Sequence, residues 1–254
     1  MFADSKIIPF IVAVLVLAAV AVAGHGLKLL LREAPRPRRW WNRFGFPASQ
    51  MFVQAGAVML ALALAAVGSA LGRGVAVYGL LGAAMLAANA LFAWLFTVSA
   101  GSGRIQRMVS LLAFAGLPPL GGFGGWFVVF YALFGAVAVP AAGRMAFFAL
   151  LLVAAALYLI NIYALALRRP APAGSGPRLV SALVWVSLVG IFLLAFAPAA
   201  VANVLLRYAC PRELAPIAAT LGEFIRVPLI WAGFINLVLA VVVAAGIYRW
   251  KLWE

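Results

Sequence analysis

The chain has 254 residues, of which 68% are hydrophobic and 9% charged, with a mean hydropathy of +1.16. An ordinary soluble domain carries about 25% charge, so this is a polytopic membrane protein with essentially no soluble domain. The formal charge of +14 does not indicate nucleic acid, because the basic residues occupy short loops between apolar runs, as in cytoplasmic loops that meet lipid headgroups.

A membrane-spanning helix needs about 20 mainly apolar residues. Seven segments qualify, approximately 7–31, 50–71, 75–99, 108–137, 145–167, 179–206 and 228–249. The first reads as a retained signal-anchor, since no clean small-residue cleavage site follows it and Lys28 and Arg32 come next. The loop after it, REAPRPRRWWNRFGFP, sets Arg36, Arg38, Arg39 and Arg43 around Trp40 and Trp41. Two readings stay open for it: an interfacial anchor with arginines on anionic lipid phosphates, or a docking surface for a neighbouring subunit. Ala, Leu, Val and Gly dominate most spans, and small residues let membrane helices approach closely. The chain is therefore expected to pack against other helices on more than one side.

Further along, residues 170–177 (PAPAGSGP) read as a flexible linker. Residues 208–227 read as a short amphipathic helix on the outer surface. The last span ends in YRWKLWE, a snorkelling and aromatic anchor. With seven spans, the 28–43, 104–107 and 168–178 loops share one side with the C-terminus and hold thirteen of the nineteen basic residues. The positive-inside rule then places the N-terminus outside and the C-terminus in the cytoplasm of a bacterial-type inner (plasma) membrane.

Little chemistry is visible. Apart from Lys28 and Arg249 near the cytoplasmic ends of the first and last spans, no Asp, Glu, Lys or Arg occurs within these boundaries, and the polar residues considered are His25, Gln54, Asn89, Tyr158, Asn161, Tyr163, Asn203 and Asn236. Intramembrane ionisable groups mark proton relays and ion paths, so this chain alone is not expected to carry protons. His25, Asn89, Tyr158 and Asn161 are candidates for a polar path or, more simply, for interhelical hydrogen bonds. Cys210 is the one cysteine and His25 the one histidine, which leaves neither an internal disulfide nor a metal set. No nucleophile with a base, phosphate-binding loop or cofactor motif appears, so the sequence offers no catalytic residue and calls for no cofactor.

The most distinctive stretch is 111–127, LLAFAGLPPLGGFGGWF. Two prolines interrupt it, and five glycines fall between Gly116 and Gly125. Lying inside an apolar stretch of spanning length, it reads as a broken transmembrane helix. Irregular backbone at membrane depth is tolerated only where protein packs around it or where it lines a cavity, and discontinuous helices often mark ion pathways.

LLAFAGLPPLGGFGGWFVVFYAL resembles the "SLAGIPPLAGFFGKF" signature of the antiporter-like membrane subunits of respiratory complex I. The same signature occurs in Mrp-type sodium/proton antiporters and membrane-bound hydrogenases. Ala115, Gly116, Pro118, Pro119, Leu120, Gly122, Phe123, Gly125 and Phe127 match in register. In that family the string sits on a broken helix of the second inverted repeat. The resemblance covers roughly residues 50–206, so residues 1–49 would be an added helix and basic loop and 207–254 an added C-terminal helix, all in one transmembrane domain. It implies an all-α fold of about seven transmembrane helices like the second half of the antiporter fold, with the fourth helix broken at Gly116–Gly125. Where the family pattern has a proton-path lysine this chain has Trp126, so the family's ion-translocating residues are not carried over. The resemblance implies a structural, non-redox subunit partnered by other membrane subunits; a stand-alone homo-oligomeric transporter or channel is the alternative.

Overall fold

The computed structural model describes residues 7–33, 45–71, 73–99, 109, 112–113, 122–135, 181–208, 210 and 212–249, with isolated helical positions between 141 and 152. Among them are seven α-helices: α1 (Ile7–Glu33), α2 (Gly45–Leu71), α3 (Arg73–Ser99), α4 (Phe123–Gly135), α5 (Ser181–Phe196), α6 (Pro198–Tyr208) and α7 (Ala215–Arg249), plus one 3-10 turn, Arg212–Leu214. These helices are rich in Ala and Leu, which favour helix. Where a helix is apolar all round, lipid or protein must cover every face.

The layout follows from which helices can come close. α1 packs along α2, α2 along α3, and α3 also meets α4, α5, α6 and α7. That makes α3 the hub, with 56% of its central apolar window buried against 22% for α7. Contact between α2 and α3 is almost backbone to backbone. A Cβ on Gly79 would lie 2.6 Å from the Ala65 nitrogen and 2.8 Å from the Ala61 carbonyl oxygen, and one on Gly68 would run into Ala76. The main core gathers Leu60, Leu64, Leu81, Met85, Leu86, Trp126, Val129, Leu133, Leu194 and Leu229. A smaller cluster joins Phe96, Leu112, Ala113 and Ile191.

The regular structure among the described residues is all helical, and its apolar helices suit a membrane. By length and composition, Gly74–Thr97 and Ala215–Gly246 are each long and apolar enough to cross one, and the bent pair Ala182–Phe196 with Pro198–Tyr208 forms a third candidate. Ile11–His25, Met51–Ala66 and Phe123–Phe134 are shorter apolar helices.

Two expectations are corrected. The segment 179–206 is not a straight helix: it bends by 102° between α5 and α6. Pro198 has no N–H to give the Leu194 carbonyl, and its ring crowds the preceding turn; instead it occupies the first position of α6, where a missing N–H costs nothing. Nor is 208–227 a separate surface helix. From Ala215 the chain runs as one helix of 35 residues through Pro228 to Arg249, so Glu223 and Arg226 belong to the same continuous rod as the apolar span. Neighbouring helices and local adjustment let transmembrane helices keep an internal proline.

Candidate functional site

The site is built where the start of α4 meets the α5–α6 bend beside α3. At the first, Leu112 and Ala113 are helical, Gly122 is in a turn, and α4 begins at Phe123. The Trp126 N–H donates to the Gly122 carbonyl at 3.0 Å, which closes the first turn of α4. Asn89 on α3 is fully buried and donates from Nδ2 to the Ala113 carbonyl at 3.0 Å. Its amide also lies against Gly122, where a Cβ would stand 3.1 Å from Nδ2. One side chain thus touches the backbone at both Ala113 and Gly122. A carbonyl can only accept, so the Asn89 amide nitrogen must face it.

The second place is the α5–α6 bend. The backbone bonds that cross it run from the Ala197 N–H to Leu193 and from the Ala200 and Val201 N–H groups to Ala197. An unbroken helix would send the Ala199 N–H to the Ala195 carbonyl. Asn236 of α7, fully buried, donates to that carbonyl instead, at 2.9 Å. Gly233, one turn earlier on α7, provides the room: a Cβ there would lie 2.7 Å from the Phe196 carbonyl oxygen.

Gly124 joins the two places. A Cβ on it would meet Met85 and Pro198 at 2.8 Å and the Leu194 carbonyl oxygen at 3.4 Å. The start of α4 is therefore seated directly on the α5–α6 bend, with each held by an asparagine from a long continuous helix. Among the described residues neither asparagine Oδ1 accepts a hydrogen bond.

Of the residues singled out by sequence, Asn89, Gly122, Gly125 and Trp126 lie together. Gly125 sits against Leu86, and Trp126 is 3% exposed within the main core. Phe123 faces Phe127 along α4, ring centroids 6.3 Å apart. His25 is elsewhere, exposed on α1 and edge-on to Phe52 of α2 at 5.2 Å. Gly116, Pro118, Pro119, Tyr158, Asn161, Arg36, Arg38, Arg39, Trp40, Trp41 and Arg43 lie outside the described residues. Sequence reasoning missed the pairing of Asn236 with the Ala195 carbonyl beside Pro198, although a lone amide in an apolar span and an Ala-Pro step were both visible.

This arrangement can hold backbone and cannot titrate. Among the described residues the buried polar side chains are Gln54, Asn89, Ser187 and Asn236, none of them ionisable near neutral pH. Among the same residues no group of three His, Cys, Asp or Glu is placed to hold a metal ion. Cys210, partly buried between α6 and α7, has its thiol pushed up by burial and so stays in its unreactive protonated form.

Asn236→Leu tests the second clasp. Interhelical hydrogen bonds in membranes average about 0.6 kcal/mol and reach about 1.7. The Ala195 carbonyl lacks its helical donor, so the expected loss lies near the upper figure, about 1.5 kcal/mol. Thermal unfolding in detergent reads it, and an unchanged midpoint would contradict the clasp. Comparison with protein-family models, with curated proteins and with solved structures finds no match to the chain.

Proposed function

We propose that the chain is a non-redox structural membrane subunit of a multisubunit, complex I-like ion-translocating assembly, of NADH–quinone oxidoreductase, Mrp or membrane-bound hydrogenase type. It does not conduct protons by itself. The observation that carries this reading is residue 126. The stretch 111–127 resembles the antiporter-like signature, yet the position of the family's lysine holds a tryptophan, buried among apolar side chains. A path for protons through the membrane needs titrating groups, and the buried polar groups around the start of α4 and the α5–α6 bend are amides. The motif then serves as an inherited joint that shapes the helix assembly.

In this reading the seven spans run with the N-terminus outside and the C-terminus in the cytoplasm of a bacterial-type inner membrane. Other membrane subunits cover the outward apolar faces. The exposed side chains of α5 and α7 support that: Trp185 is 64% exposed, Trp231 60% and Phe234 55%. Lipid satisfies such faces equally well, so the deciding experiment is compositional. Purification in mild detergent followed by mass spectrometry is expected to recover antiporter-like or redox subunits with this chain. A stable homo-oligomer free of such partners overturns the proposal and favours a self-contained transporter or channel.

A further inference from the structure

The 102° bend at Pro198 has a second consequence. It swings α6 away from α5 and leaves a cavity of about 730 Å³ between α6 and the first half of α7. Ligand pockets commonly fall between about 300 and 1,000 Å³. Its floor is apolar, with Ile225 and Leu229 fully buried, while Asn203, Arg207, Glu223 and Arg226 are exposed along its walls.

The depth of this cavity follows from α7. A helix of 35 residues is about 52 Å long at 1.5 Å per residue, well beyond a hydrocarbon core of about 30 Å. Residues 227–246 are twenty consecutive uncharged residues, enough to cross that core. Arg226 and Glu223 therefore stand at the boundary where hydrocarbon gives way to headgroups. Arg207 lies in the last turn of α6, its guanidinium 5.8 Å from the ring centre of Tyr208, and tyrosine marks the same boundary. The cavity thus has a cationic rim at headgroup level and an apolar floor running toward the bilayer interior.

We infer that this cavity binds one anionic phospholipid, its phosphate held by Arg207 and Arg226 and an acyl chain laid along Ile230. Guanidinium groups match phosphate oxygens in charge and geometry. Glu223 opposes the anion and limits the rim to a net charge of +1, so the two signs of charge make opposite predictions. The site requires a membrane-embedded chain and is independent of the subunit assignment above.

The test is native mass spectrometry of the full-length protein, with whatever subunits accompany it, titrated with dioleoyl phosphatidylglycerol. Dioleoyl phosphatidylcholine and inorganic phosphate are run in parallel, and thermal melts check the fold of each variant. Each basic residue near an anionic surface contributes on the order of a fivefold factor in affinity. Arg207→Gln and Arg226→Gln are each expected to weaken phosphatidylglycerol retention about fivefold, and Glu223→Gln to strengthen it by a similar factor. Phosphatidylcholine is retained more weakly, and millimolar phosphate leaves the lipid in place. Opposite effects of the Arg and Glu variants cannot come from a general loss of fold. Arginine variants that match wild type, a Glu223→Gln variant that binds less, equal retention of phosphatidylcholine, or displacement by phosphate each overturn the assignment.

Discussion

Trp126→Ala is expected to cost about 3–5 kcal/mol of stability, the range for emptying a large aromatic from a packed core. Trp126 is 3% exposed and belongs to the same cluster as Leu86, Val129 and Leu194. Those neighbours are fixed by glycine contacts on two sides. Gly125 stands against Leu86, and Gly124 against Pro198 and Met85, so the site has little freedom to collapse into the void. The effect should appear as loss of assembly with partner subunits and a lower melting point in detergent. In whatever fraction still assembles, proton stoichiometry should be unchanged, because an indole supplies no titrating group. Normal assembly with a large, selective loss of pumping would contradict the structural role given to residue 126.

Gly79→Ala is expected to destabilise by about 2–3 kcal/mol, the range for forcing an extra carbon into a well-packed contact. The added Cβ meets Ala65 N at 2.6 Å, Ala61 O at 2.8 Å and Ala65 Cα at 2.8 Å. All three are backbone atoms, so no side chain can rotate out of the way and α2 must move from α3. Gly24→Ala is the matched control. A Cβ there meets nothing within 4 Å, so only helix propensity acts, and it favours alanine by up to about 1 kcal/mol. The same chemical change should therefore move the melting point down at residue 79 and slightly up at residue 24. Equal shifts would contradict the backbone-to-backbone contact of α2 with α3.

The first result bears on the coupling of the start of α4 to the α5–α6 bend. Trp126 follows Gly122, which Asn89 touches, and Gly124, which touches Pro198. Residues in direct contact give non-additive mutational effects of about 0.5–3 kcal/mol. Substitutions at Asn89 and Asn236 should accordingly fail to add, whereas either combined with Gly24→Ala should add.

The membrane class was legible from composition alone, since 68% hydrophobic and 9% charged residues cannot form an ordinary soluble surface. It also determined the helical state, because backbone inside lipid must satisfy its own hydrogen bonds. Residues 111–127 stood out, as paired prolines and clustered glycines disfavour helix. Which residues meet was set by packing across the fold. Asn89 lies 24 positions from Ala113 and Asn236 lies 41 from Ala195, and spacing of that kind leaves no periodic trace along the chain. The segment 179–206 read as a single span, and its 102° bend at Pro198 depends on α7, whose Asn236 amide meets the Ala195 carbonyl. For the same reason Glu223 and Arg226, which looked like part of a surface segment, proved to stand on the long α7 rod, whose length comes from continuity across Pro228.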